Sequence, residues 1–274
     1  MIVRVLALAN VELRIAIRNR WIAIASALML LFALALTFGG SAPTGALGVD
    51  LLTVSVASMT TLSVYLVPLL ALLLAFDAIA GENERGGLAL LLTYPVSRSE
   101  VLFGKCLAHV MALSLAISLG FGLSGLAAWA IGGAGPESLL ALAWLSVSAV
   151  VLGTTFLAIG YALSALARSP GAAAGLAITV WVVFVVLYDL GLLGALVYDS
   201  GGTFTRHVFP WLLAANPADA FRLFNLAGSD QLAATTGLNG ASAAMPPWAA
   251  TASLFAWPIL GLALARLALR RIEP

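Results

Sequence analysis

Six long apolar stretches, at residues 21–38, 51–76, 106–131, 139–166, 172–190 and 248–269, constrain this chain more than anything else in it. Crossing the roughly 30 Å hydrocarbon layer of a bilayer takes about 20 helical residues, and each stretch is close to that length or beyond it. A lone segment in lipid must satisfy its backbone hydrogen bonds internally, so helices are expected. None of the six shows the period-2 alternation of a membrane barrel strand. The expected fold is an all-α integral membrane protein with six transmembrane helices.

Composition points the same way. Hydrophobic residues make up 62% of the chain, charged residues 9%, and mean hydropathy is +1.07, against about 45–50% apolar and 25% charged in soluble domains. The charges gather in short clusters between the apolar runs, where lipid does not exclude them. A net charge of +1 and the absence of any run of five like charges argue against nucleic acid as a partner. One cysteine, Cys106, excludes an intrachain disulfide framework, and no zinc-type Cys/His spacing occurs.

Lys and Arg set the orientation. Arg4, Arg14, Arg18, Arg20, Arg85, Arg98, Lys105, Arg168, Arg266, Arg270 and Arg271 fall on one side of the six spans, and only Arg206 and Arg222 on the other. The positive-inside rule then puts both termini in the cytoplasm. Residues 1–20 are too long for the leader of a signal peptide, and the run after them exceeds an ordinary h-region. Asn10, Arg14 and Arg18 form an i, i+4 stripe suited to a helix lying on the inner leaflet, with Glu12 pointing almost oppositely. The same residues also read as a simple extension of span one.

Outside, loops at 39–50 and 132–138 carry Gly, Ser and Pro. The large external segment is 191–247. Asn216-Pro217, followed by Asp219, is a helix-start signal, and Trp211, Phe221 and Phe224 suit a short helix dipping into the outer leaflet. Asn216, Asp219 and Arg222 are candidate contacts for an external partner. The remainder up to Pro247 reads as irregular.

The connection between spans two and three, residues 77–105, holds more chemistry than a linker requires. From Phe76 it runs FDAIAGENERGGLALLLTYPVSRSEVLFGK, with four acids, three bases, a central leucine run and a Tyr94-Pro95 break. Gly86 and Gly87 allow a sharp turn, Leu88 to Thr93 a short helix, and Ser97 a cap before the chain returns to the membrane. The positions Gly81, Glu82, Glu84, Gly86, Leu90, Leu91, Pro95, Val96, Ser97, Arg98, Gly104 and Lys105 resemble the pattern of the ABC-2 permease family: an acid-rich glycine turn, a leucine-rich helix, P-V-S-R and G-K. Gly87 departs from it, since many relatives have Thr there.

That resemblance implies a single transmembrane domain spanning 1–274, in a bacterial inner membrane, with a coupling helix that docks into a separate ATPase. Under it, Glu82, Glu84, Arg85 and Arg98 are candidates for the ionic part of the contact, Leu88, Leu91 and Leu92 for apolar anchors, and Gly86 and Pro95 for its turns. ATP and Mg would be bound by the partner ATPase, with no cofactor in this chain. The phrases VPLLALLLAFDAIAGENERGGLALLLTYPVSRSEVLFGK and NPADAFRLF are similar to a branch of the family that serves copper-centre maturation of nitrous oxide reductase. This narrower resemblance implies two copies of the chain, two ATPase subunits and a periplasmic β-helical protein. It leaves open whether a sulfur species is moved outward or motion is passed mechanically to the periplasmic partner. An ABC-2 exporter of a lipid, drug or peptide, and a non-transporting membrane anchor, are the alternatives.

Other residues carry weaker signals. Asp189 lies within the apolar stretch of span five and reads either as a helix end or as lining a cavity. Ser55, Ser58 and Thr61, with the neighbouring hydroxyls of span two, suit a polar path or packing between helices. Gly171 and Gly175 would let span five approach a neighbour closely. Cys106 and His109 stand one turn apart, but two ligands do not make a metal site. Gly122-Leu123-Ser124-Gly125 matches the GxSG of rhomboid proteases. His109, however, lies about 22 Å along the same helix at 1.5 Å per residue, and His207 falls in the external segment. No phosphate-binding GxxxxGK[ST] loop is present, so ATP would act through a partner.

Overall fold

The computed structural model describes residues 2–18, 20–39, 50–132, 135–199, 201–226, 245–246 and 248–272. Every regular element among them is helical. In chain order these are α1 (Ile2–Ile17), α2 (Arg20–Gly39), α3 (Leu51–Ala75), α4 (Asp77–Glu84), α5 (Gly87–Leu92), α6 (Arg98–Gly132) and α7 (Pro136–Leu166). Then come α8 (Pro170–Trp181), a π segment (Val182–Leu187), α9 (Tyr188–Asp199), a second π turn (Phe204–Val208), α10 (Phe209–Ala215), α11 (Pro217–Leu226) and α12 (Trp248–Leu269).

Among the described residues, five helical stretches are long and apolar enough to cross a membrane: Leu51–Glu84, Arg98–Gly132, Pro136–Leu166, Pro170–Asp199 and Trp248–Leu269. The chain is therefore a multi-pass membrane protein. The first expected span falls on α2, in which Ser26–Phe38 is a shorter apolar helix. Most of the 39–50 loop and the stretch from 227 to 244 lie outside the described residues.

Local chemistry sets the helix ends. Asp50 caps α3 by accepting from the Thr53 amide at 2.7 Å. The same carboxylate accepts from the Gly135 amide at 3.2 Å and from the Ser138 hydroxyl, tying the start of α3 to that of α7. Ser169 caps α8 ahead of Pro170. At α6, the Ser97 amide donates to Glu100 Oε2 (2.8 Å) and the Glu100 amide to Ser97 Oγ (3.2 Å), a reciprocal capping box. That box starts the helix of span three at Arg98, well before the expected 106.

Span five is longer than expected. Its helix runs on to Asp199 rather than ending near 190. Gly191 and Gly194 cost about 1 kcal/mol each in a helix interior but do not stop one, and Leu190, Leu192, Leu193 and Val197 extend the apolar run.

α7 is the axis of the core, packed against α3, α6, α8 and α12. Small residues let these helices close up. A methyl group placed on Gly160 would lie 2.6 Å from Ala75 Cβ of α3, and one on Gly261 of α12 would lie 2.8 Å from Ala158 Cβ of α7. Phe121, Phe156, Tyr161 and Phe221 are fully buried in the core these helices enclose. Gly160→Val should therefore cost about 1–3 kcal/mol through overpacking. Thermal unfolding of the detergent-solubilised protein measures this, and an unchanged midpoint would contradict so close a crossing.

Candidate coupling site

The 77–105 segment folds as two short helices and a turn held against the bundle. Gly86, at φ 71° in the left-handed region, reverses the chain between α4 and α5, a conformation that costs an L-residue roughly 1–2 kcal/mol. Ser164 of α7 fixes the joint with span two. Its hydroxyl donates to the Phe76 carbonyl (2.6 Å) and accepts from the amides of Ile79 (3.1 Å) and Ala80 (2.9 Å).

Lys105 fixes the other side. Its side chain is 4% exposed, and its ammonium donates to Glu12 Oε1 of α1 at 2.5 Å and to Glu82 Oε1 of α4. One buried cation thus joins the first helix, the connection helix and span three. Gly104 makes the approach possible, since a methyl group there would lie 2.7 Å from Leu8 Cβ. Glu12, set apart from the polar stripe of α1 by helical spacing, is the partner that faces inward.

The candidate residues separate into a buried set and an exposed set. Leu88, expected as an apolar anchor for a partner, is 2% exposed and belongs to the core. Leu91 and Leu92 are half-buried against that core. Glu82 is committed to Lys105, and its Oε2 is buried without a hydrogen-bond partner. Arg98 donates from Nη1 to the Leu269 (3.4 Å) and Arg270 (3.0 Å) carbonyls, closing the end of α12. Exposed are Glu84, Gly86, Pro95 and Arg85, whose guanidinium lies 3.3 Å from Asp77. Leu90 at 65% and Tyr94 at 63% are the most exposed large apolar side chains of the segment.

At the opposite end of the bundle, Asn216, Asp219 and Arg222 turn inward onto span five. Asn216, 2% exposed, donates from Nδ2 to the Phe184 carbonyl in the π segment (2.7 Å), while its Oδ1 accepts from the Ala218 amide at the start of α11 (2.9 Å). Arg222 reaches Asp219 Oδ1 at 3.0 Å and Asp189 Oδ2 at 3.2 Å. Tyr188 donates to the Leu212 carbonyl at 2.7 Å and Trp257 to the Ala215 carbonyl at 3.0 Å, so the end of α10 is held too. A surface of Asn216, Asp219 and Arg222 for an external partner does not fit this burial. Asp189 sits within the helix that runs to Asp199, paired with Arg222, rather than at a helix end.

The family profile described as ABC-2 family transporter protein matches residues 6–272. The chain belongs to the ABC-2 transporter family. It is 41% identical over 268 residues, 96% of this chain and 97% of the relative, to the "Probable ABC transporter permease protein NosY" of Stutzerimonas stutzeri. It is 44% identical over 229 residues, 83% of each chain, to the protein of the same name from Pseudomonas aeruginosa.

In this ABC-2 permease the weaker sequence signals find packing partners. Ser55, Ser58 and Thr61 donate to the carbonyls of Leu51, Val54 and Ala57 on their own helix, at 2.7, 3.1 and 3.3 Å. Ser124 is fully buried and shares a 2.9 Å hydrogen bond with Thr37. His109 shares one of 2.7 Å with Tyr161, and Cys106 is buried beside them. Among the described residues no three His, Cys, Asp or Glu side chains converge as metal ligands.

Composition and spacing underrated Lys105. The available signals were a lysine joined to an apolar helix and an acid off the polar face of α1. Lys105→Met leaves two acids facing each other and should cost about 3–5 kcal/mol. The loss is read as faster hydrogen exchange in both α1 and α4. Unchanged protection in α1 would refute the three-way tie.

Proposed function

We propose that this chain is the non-catalytic transmembrane subunit of an ABC transporter, receiving the motion of a separate ATPase on the exposed face of α4 and α5. The observation that carries this reading is an outward patch of Glu84, Arg85, Leu90 and Tyr94 on a frame fixed from behind by Leu88, Ser164 and Lys105. Apolar anchors ringed by charges suit a protein interface. A rigid backing lets a push on the patch move the helices behind it.

In this reading α2 is the first of six spans, α1 lies on the inner leaflet of a bacterial inner membrane, and both termini are cytoplasmic. ATP and Mg are bound by two ATPase subunits. A second copy of the chain completes the membrane part. Span five supports that pairing: only 17% of its most apolar stretch is buried within the chain, against 50% in the α3 and α7 spans. Nothing lies within 4 Å of a methyl group placed on Gly171 or Gly175.

Span five also supports mechanical transmission. Its inner end packs on α4, and its outer half holds α10 and α11. Tilting α4 would therefore move the outer hairpin through one continuous helix. Combined with the NosY-like sequence, the role is copper-centre maturation of nitrous oxide reductase, with the hairpin passing motion to a periplasmic β-helical partner. Outward movement of a sulfur species is the other form the output can take.

Charge reversal of both Glu84 and Arg85, or Leu90→Asp, should weaken ATPase binding by at least about 2 kcal/mol, roughly thirtyfold in Kd. Co-purification and stimulated ATP turnover report the loss. Wild-type behaviour of both variants, with folding intact, would overturn the docking assignment.

A further inference from the structure

Two acids and one base meet where span five holds α11. Asp219 is 1% exposed, its Oδ1 takes Arg222 Nη1, and its Oδ2 is buried without a hydrogen-bond partner. Arg222 Nη2 goes to Asp189, whose side chain is 28% exposed. With both acids ionised, the cluster would hold one uncompensated negative charge in a low-dielectric setting, and Asp219 Oδ2 would lack a donor.

Among the described residues, the elements packed on α11 bring no further charge to the cluster. Of the elements packed on α11, α3 offers only Tyr65, α10 no acid, base or tyrosine, and α7 only Glu137 in its first turn and Tyr161 toward the opposite end. α12 offers only Arg266, in its last turn. Tyr188, on span five, spends its hydroxyl on the Leu212 carbonyl.

We propose that Asp189 and Asp219 form a proton-binding pair, in which a single proton on Asp219 Oδ2 bridges to Asp189 and fastens the α10–α11 hairpin to span five. The proton comes from, and returns to, water that reaches the partly exposed Asp189. Protonation turns the orphaned oxygen into a donor and leaves Asp189 as the one carboxylate matched to Arg222. Burial first, and then the charge of Asp189, push the Asp219 carboxyl up to about 7, against the pull of Arg222. The pair therefore changes state near neutrality.

The sign of the pH dependence follows. The folded chain holds this proton more tightly than the unfolded chain, so stability from the pair is complete below the ordinary Asp value of 3.8 and declines as pH rises to about 7. Infrared difference spectroscopy of the purified full-length protein in lipid, titrated across that window, tests the site. The expected result is a protonated-carboxyl band that disappears as pH passes about 7 and is missing in Asp219→Asn. In Asp189→Asn the band should titrate at a lower pH than in the wild type, because Asp219 then faces Arg222 without the charge of Asp189. Thermal stability of Asp219→Asn should lose the wild-type decline over the same window. If no carboxyl band titrates near neutrality in the wild type, or if it persists unchanged in Asp189→Asn, the proton-binding pair is wrong. The Asp189 variant decides the matter even if Asp219→Asn fails to fold.

Discussion

A buried ammonium has to be matched by acid, and much of one end of this helical bundle follows from that requirement at Lys105. Its two acids come from helices far apart in sequence, Glu12 on α1 and Glu82 on α4. Satisfying the cation therefore positions the first helix and the connection segment against span three at the same time. The glycine beside it exists in the same context, since only a residue without a side chain admits α1 so close to α6. Removing a charge from such a cluster leaves the others buried and unmatched, which gives the arrangement its specificity.

The opposite end obeys the same rule with different groups. There the π segment of span five presents the Phe184 carbonyl to Asn216, and Arg222 links Asp189 to Asp219. Phe184 also packs edge to face on Phe156 and Trp257, so the irregular stretch is embedded rather than loose. π segments recur at functional positions in helices. Here one lies in the helix that touches α4 at one end and carries the hairpin at the other.

Apolar length alone made the helical membrane fold legible, because lipid leaves a lone segment no alternative. The helix starts after Ser97 and at Pro217 were equally readable, since caps and prolines act locally. Burial was harder to see. Leu88 and Leu90 are alike in sequence, and only the tertiary position of α5 sends one to the core and the other outward. Asn216, Asp219 and Arg222 looked like an external surface because polar groups beyond a span are ordinarily solvated, yet each has its partner on span five or its own helix. Span five was expected to end at 190, and the leucines beyond that point carry its helix on to Asp199.

In the proposed coupling, the outward face of α4 and α5 meets the ATPase. Site-directed cross-linking from Leu90→Cys in the assembled complex tests it most directly, because Cys106, the native cysteine, is buried and gives no competing adduct. Docking at this face gives an adduct between position 90 and the ATPase subunit whose yield changes during ATP turnover. Free labelling of position 90 by a soluble thiol reagent, with no ATPase adduct in an intact complex, would contradict it.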